Sequence, residues 1–359
     1  MSASIIAARR SAVVPRGGAF ARLSIEDLAT PVIAALLADA GIAPGAVDEM
    51  ICANALGAGG NPARRIALAA GLGHVAGLTI DRQCAGGLDA VLLARALVQS
   101  GAAQVVIAGG VESYSRRPQR LRTDPDGGAA VAYDQPAFTP WPDRDPDMAI
   151  AAEALARRLG ISRKLQDDWA MASHARAMAA DLLAEIVPIA GQSRDAFARH
   201  LTPALAARAK VITGSITAAN AAVAADAAAF MLVVDEKLAK GRGMQIISGA
   251  TLGADPTEPG LAPVPAIAQA LARAGIAPDD LAVIELMEAY AVQAIACAQG
   301  AGLDPALINL SGGALARGHP IGASGAILAV RLFYQLHHGH GLAAIAAAGG
   351  LGTALVVRR

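Results

Sequence analysis

Short apolar runs alternate along this chain with segments of helical periodicity. Near the start, "SIIAARRSAV" reads as a first strand. A strand in "VDEMICANAL", a helix through "NPARRIALAAGL", a strand in "LTIDRQ", a helix from Cys84 to about Ser100 and a strand in "AQVVIAGG" follow. Strand and helix candidates at this spacing imply a layered α/β fold around a largely buried sheet. The last third repeats the rhythm: "LAVIELMEAY", a helix through "AVQAIACAQ", "ALINLSGGA", a helix after "GHPIGASGA", and "GLAAIAAAGG". In both parts a glycine-rich turn opens a helix and a strand ending in Gly-Gly follows. The pattern therefore predicts an internal duplication, with two similar α/β halves facing each other.

Between about Ser115 and Lys210 the pattern changes. Pro, Asp and Arg become frequent in "SRRPQRLRTDPDGG" and "FTPWPDRDPDM", and helical periodicity follows in "AIAAEALARRLG" and "SRKLQDDWAMASHARAMAADLLAEI". We read this stretch as a loop-and-helix insertion with no third sheet, Ser162 capping its second helix. The expected division is a first half over 1–114 and 211–235, an insertion over 115–210 and a second half over 236–359.

Composition adds constraints. Hydrophobic residues make up 54% of the 359 and aromatics only 3%, so the core must be built from Ala, Val, Leu and Ile in close helix-on-sheet packing. The formal charge of +0, from 30 basic and 30 acidic residues, gives no electrostatic case for nucleic acid or a membrane surface. No long uninterrupted apolar run reads as a membrane span, and the arginines in the first apolar run do not fit a signal peptide, so a cytoplasmic protein is expected. Cys52, Cys84 and Cys297 show no paired spacing for disulfides or zinc. The cluster of His337, His338 and His340 reads as a solvated helix end, and no metal site is expected.

Two stretches carry chemistry. In "DRQCAGGLDAVLLARAL", Cys84 stands where a strand meets a glycine-rich helix start, a field that favours thiolate. Gly86 and Gly87 there would let backbone approach a bound acyl group and offer N–H donors to an oxyanion. In "SGGALARGHPIGASGAILAV", His319 is fixed by Pro320 just before a helix, suited to taking a proton from a thiol or polarising a carbonyl. Read alone, each also fits a plainer role: a buried structural cysteine, or a loop histidine bonded to backbone.

Together with "GNPARRIAL", "AGGVESYS", "MEAYAVQ" and the final "AGGLGTALVVRR", these stretches resemble the thiolase family of acyl-CoA acyltransferases through nearly the whole chain. The resemblance implies the thiolase fold, two βαβαβαββ halves in a five-layer αβαβα body with a loop domain inserted in the first half. It implies Cys84 as the nucleophile that takes an acyl group from coenzyme A, and His319 as the residue that activates it. It places Met148, Ala221, Ala222, Ala289 and Tyr290 along the substrate path, and the Ala348 backbone at an oxyanion. Coenzyme A thioesters are the implied substrates, with no covalently bound cofactor, and the chain is expected to form a homodimer or a tetramer.

Departures from the family's pattern cluster at this site. Ala346, Ala347 and Ala348 stand at its "C-x-G" motif, so the acid/base thiol is missing, a loss of about 10²–10⁴-fold. Its "N-E-A-F" is Met287, Glu288, Ala289 and Tyr290, which removes the asparagine that holds an oxyanion-binding water and costs about 2.7–4 kcal/mol. Asp147 replaces a histidine before Met148, and Ala222 replaces a serine near pantetheine. The expectation is an enzyme acylated at Cys84 but impaired in Claisen condensation and thiolysis, with Glu288 the candidate substitute acid/base. The alternative is a catalytically inactive or partner-dependent acyl-CoA-binding protein.

Overall fold

The computed structural model describes residues 2–57 and 59–359. The first half runs β1 (Ala3–Ser11), α1 (Ile25–Ala40), β2 (Glu49–Ala53), α2 (Pro62–Ala69), β3 (Leu78–Ile80), α3 (Gly86–Ser100) and β4 (Val105–Ser113). After the insertion, which holds α4 (Met148–Leu159) and α5 (Arg163–Ala179), it closes with β5 (Ala225–Asp235). β4 pairs parallel with β2 (Ile51↔Ala108) and antiparallel with β5 (Phe230↔Gly109), and β5 pairs antiparallel with β1. Both β4 and β5 are buried along their whole length, which explains their near-continuous apolar sequence.

The second half repeats the plan with β6 (Met244–Gly253), α6 (Pro263–Ala274), β7 (Leu281–Leu286), α7 (Ala291–Gly300), α8 (Ile321–Gln335), β8 (His340–Ala347) and β9 (Leu351–Arg358). One expected strand is nearly absent. In "ALINLSGGA" only Ile308 bridges Ile284, because Asn309 turns left-handed at φ +49° and its side-chain amide takes both the N–H and the C=O of Leu286. A side chain thus does the pairing that backbone does in the first half.

The halves join edge to edge where β1 meets β6, at Ser4↔Gln245 and Ile5↔Met244. The strand order is β7-β8-β9-β6-β1-β5-β4-β2-β3. α1 and α2 cover the outer face of one half and α6 and α7 that of the other, while α3 and α8 pack together between the sheets. The result is the expected five layers. Glycine lets the two central helices touch: a Cβ on Gly87 would lie 2.6 Å from Ala326 N, and one on Gly325 would lie 2.5 Å from Leu88 N.

Within the insertion, Ser162 caps α5 by accepting from Leu165 N. The helix stops at Ala179, short of the periodic stretch that predicts it, since Asp181 bonds Leu183 N in a local turn and Ile186 then pairs with Arg10 of β1. Buried Arg10 holds this exit with Glu185 at 2.8 Å and Asp195 at 2.7 Å. Two small two-stranded ribbons, Arg120–Arg122 with Val131–Tyr133 and Val211–Thr213 with Ile216–Thr217, are added to the helices. His337 and His338 are exposed just past α8, and among the described residues no cluster could hold a metal ion. Nor is any described helix long and apolar enough to cross a membrane.

Candidate active site

The duplication brings together the starts of the two central helices. Between β3 and α3 the chain turns at Gln83, a non-glycine residue at φ +48°, whose N–H and side-chain amide both bond Asp81. That turn delivers Cys84 to the N-terminal end of α3. In the second half, the loop before α8 delivers His319 from the corresponding place. The segment Asn220–Ala224 ties the two halves here: Ala222 N donates to Ala289 O, Ala221 bridges Tyr290, and Val223 O accepts from His319 N at 2.7 Å. His319 Nε2 then lies 3.1 Å from Cys84 Sγ.

The hydrogen bonds around His319 fix its tautomer. Ser324 Oγ donates to Pro320 O at 3.0 Å, so its one proton is spent and its oxygen must accept from His319 Nδ1–H at 2.6 Å. Nε2 therefore carries the lone pair, aimed at the Cys84 S–H. Desolvation sets both protonation states. It pushes the thiol up to about 12, against the backbone N–H groups of Cys84 and Ala348 that reach the sulfur, and it pushes His319 down to about 4. The sequence predicts a thiolate in the field of a helix start. The structure corrects this to a neutral thiol beside a neutral imidazole, because burial outweighs the helix end.

A pocket of about 390 Å³ opens over this pair. Met148, Ala222, Ala289 and Tyr290 line it as expected, and Ala346, Ala347 and Ala348 form part of its wall. Other expected residues lie elsewhere. Ala221 packs behind the wall against α4 and α7. Met287 is in the core between the sheets, its N–H given to Ala344 O. Glu288 is 1% exposed, and its carboxylate accepts from Trp169 Nε1, Ser173 Oγ, Asn309 Nδ2 and Leu315 N, so it anchors the insertion and has no free oxygen to move protons. Gly86 and Gly87 serve packing against Ala53 and α8, and the N–H groups at the sulfur belong to Cys84 and Ala348. Asp147 caps α4 by accepting from Ala149 N and Ile150 N, which gives that substitution a structural use.

Other contributors escape a reading of the sequence. Glu112, fully surrounded, accepts from Asn54 Nδ2, Ala55 N, Leu56 N and Gly322 N, stapling the pocket wall to the start of α8. Burial pushes its carboxyl up to about 7. Tyr114, inside the quoted "AGGVESYS" but given no role by it, and Phe138, from a segment with no motif, also line the pocket. Ser324 had a signal: a hydroxyl one helical turn past the histidine can reach back to its ring.

Comparisons with known proteins agree with this architecture. Residues 3–237 match the family model "Thiolase, N-terminal domain" and residues 242–359 match "Thiolase, C-terminal domain". The chain is 41% identical over 380 residues to the Bacillus subtilis protein named "Putative acetyl-CoA C-acetyltransferase YhfS", covering 99% of each. It is 36% identical over 377 residues to "Putative acetyl-CoA C-acetyltransferase VraB" of Staphylococcus aureus, again covering 99% of each. The crystal structure of the Bacillus anthracis acetyl-CoA acetyltransferase superposes with a TM-score of 0.93 at 31% identity, over 99% of this chain and 98% of that one. With the two domain models together matching nearly the whole chain and the fold shared, this chain belongs to the thiolase family.

Proposed function

We propose that the protein is an acyl-CoA acyltransferase that carries its acyl group as a thioester on Cys84. The observation that carries this reading is the 3.1 Å contact from Cys84 Sγ to a His319 nitrogen whose lone pair Ser324 orients. As Sγ attacks the thioester carbonyl, its proton moves to Nε2, and the Cys84 and Ala348 N–H groups face the developing oxyanion. Collapse expels the coenzyme A sulfur, which takes the proton back from His319. Moving the proton with the attack suits a thiol held at about 12, since no free thiolate has to form first.

Condensation with a second acyl-CoA needs a base for its α-carbon, and the Ala346 position offers a methyl group. With Glu288 committed elsewhere, we infer weak condensation and thiolysis beside intact acylation. Free thiols at Cys52, Cys84 and Cys297 fit a reducing, cytoplasmic setting. The test is intact-protein mass after incubation with acetyl-CoA and longer acyl-CoAs, with Cys84→Ala alongside. An acyl adduct present only when Cys84 is intact is the expected result. No adduct with any acyl-CoA would favour the second reading, an acyl-CoA-binding protein on this fold, whose motivation is the apolar pair Ala346 and Met287.

A further inference from the structure

We propose that the Tyr290 hydroxyl is the side-chain hydrogen-bond donor to the carbonyl oxygen of a thioester bound over Cys84. The proposal rests on the acyl-CoA reading above and adds a residue to it.

Most polar side chains lining the pocket near the sulfur already have partners. Gln83 is bonded to Asp81, Gln293 to Ala289 N and Cys297, Arg117 to Asp134, and Arg120 to the carbonyls of Ala55 and Leu56. His319 is occupied by Cys84 and Ser324. Tyr290 lines the same pocket, and among the described residues its hydroxyl meets no protein partner. Tyr114 and Gln135 share that freedom, but the Tyr114 ring carries the Arg117 guanidinium 5.4 Å from its centroid and Gln135 is exposed in the insertion. By contrast, the Tyr334 hydroxyl, away from the pocket, is tied to Ala8 O at 2.8 Å.

Placement favours Tyr290 as well. Its backbone is clamped between Ala221 and the first turn of α7, where Ala294 N donates to Tyr290 O, so the ring starts from a fixed frame. Tyr290 and Cys84 line the same pocket, and burial first, then Asp147 and the Cys84 thiol, raise the phenol above its ordinary value. A phenol held neutral is a donor and not a base. During attack the new C–S bond forms at Cys84, the carbonyl π pair moves onto oxygen, and the Tyr290 O–H keeps its proton while its hydrogen bond to that oxygen strengthens.

Tyr290→Phe removes only the hydroxyl and keeps the ring. The expected result is an acylation rate at saturating acetyl-CoA about 10²-fold lower, with KM little changed. A rate within twofold of wild type would overturn the proposal. A second measurement needs no turnover: the infrared carbonyl band of acetyl-CoA labelled with ¹³C at the carbonyl, bound to Cys84→Ala and to Cys84→Ala/Tyr290→Phe. A band lowered in the first and returned upward in the second supports the hydrogen bond, even if wild type forms no acyl-enzyme and the acyltransferase reading fails. The same band position in both, or no bound band in Cys84→Ala, overturns it.

Discussion

Replacing Ser324 by alanine tests the proton arrangement at its weakest point. The substitution removes the acceptor of His319 Nδ1–H and leaves the helix start intact, because Pro320 O also accepts from Ala323 N at 2.9 Å and Ser324 N at 2.8 Å. What is lost is one buried hydrogen bond of 2.6 Å, with an imidazole N–H left without a partner. Such a loss costs about 1–3 kcal/mol, and at about 1.4 kcal/mol per factor of ten the acylation rate should fall roughly 5- to 150-fold. The assay is rapid quenching with acetyl-CoA followed by intact mass, beside thermal unfolding to confirm that the fold survives. Since the reacting form holds a neutral His319 driven down to about 4, the wild-type rate should stay level from pH 8 to about 5 and fall only as pH drops through about 4, where the ring gains a proton and loses its lone pair. A Ser324→Ala rate within twofold of wild type would refute the tautomer argument, and a midpoint near the ordinary histidine value would refute the desolvated pair.

Further tests address the other parts of the site. Ala346→Cys puts a thiol back on the pocket wall and should raise acetoacetyl-CoA thiolysis by up to about 10²–10⁴-fold; no gain in a protein that still acylates would mean that more than this thiol is missing. Glu288→Gln turns an amide NH₂ toward donors, so unfolding in urea should show a loss of about 1–3 kcal/mol while the folded enzyme acylates within threefold of wild type. Abolished acylation in a stably folded Glu288→Gln enzyme would instead restore Glu288 as an acid/base. Glu112→Ala strands the donors of Asn54, Ala55, Leu56 and Gly322 and should cost at least about 3 kcal/mol in the same titration, and a loss below 1 kcal/mol would contradict the stapling role.

Much of the scaffold is legible in the amino-acid order, because strand and helix periodicity and turn chemistry act over a few residues. That order exposed the duplication, Ser162 as a helix cap, and Cys84 and His319 through their glycine and proline neighbours. It also exposed the alanines at 346–348, since a missing side chain is a local fact. What those residues meet depends on the packed fold. Glu288 looked free until α5, Asn309 and Leu315 closed on it, and Gly86 and Gly87 looked like acyl contacts until Ala53 packed on the one and α8 on the other. The Cys84 thiol looked acidic beside its helix until the surrounding burial raised it. Desolvation and hydrogen-bond satisfaction depend on every segment that arrives around a group, and those segments are brought together here from positions hundreds of residues apart.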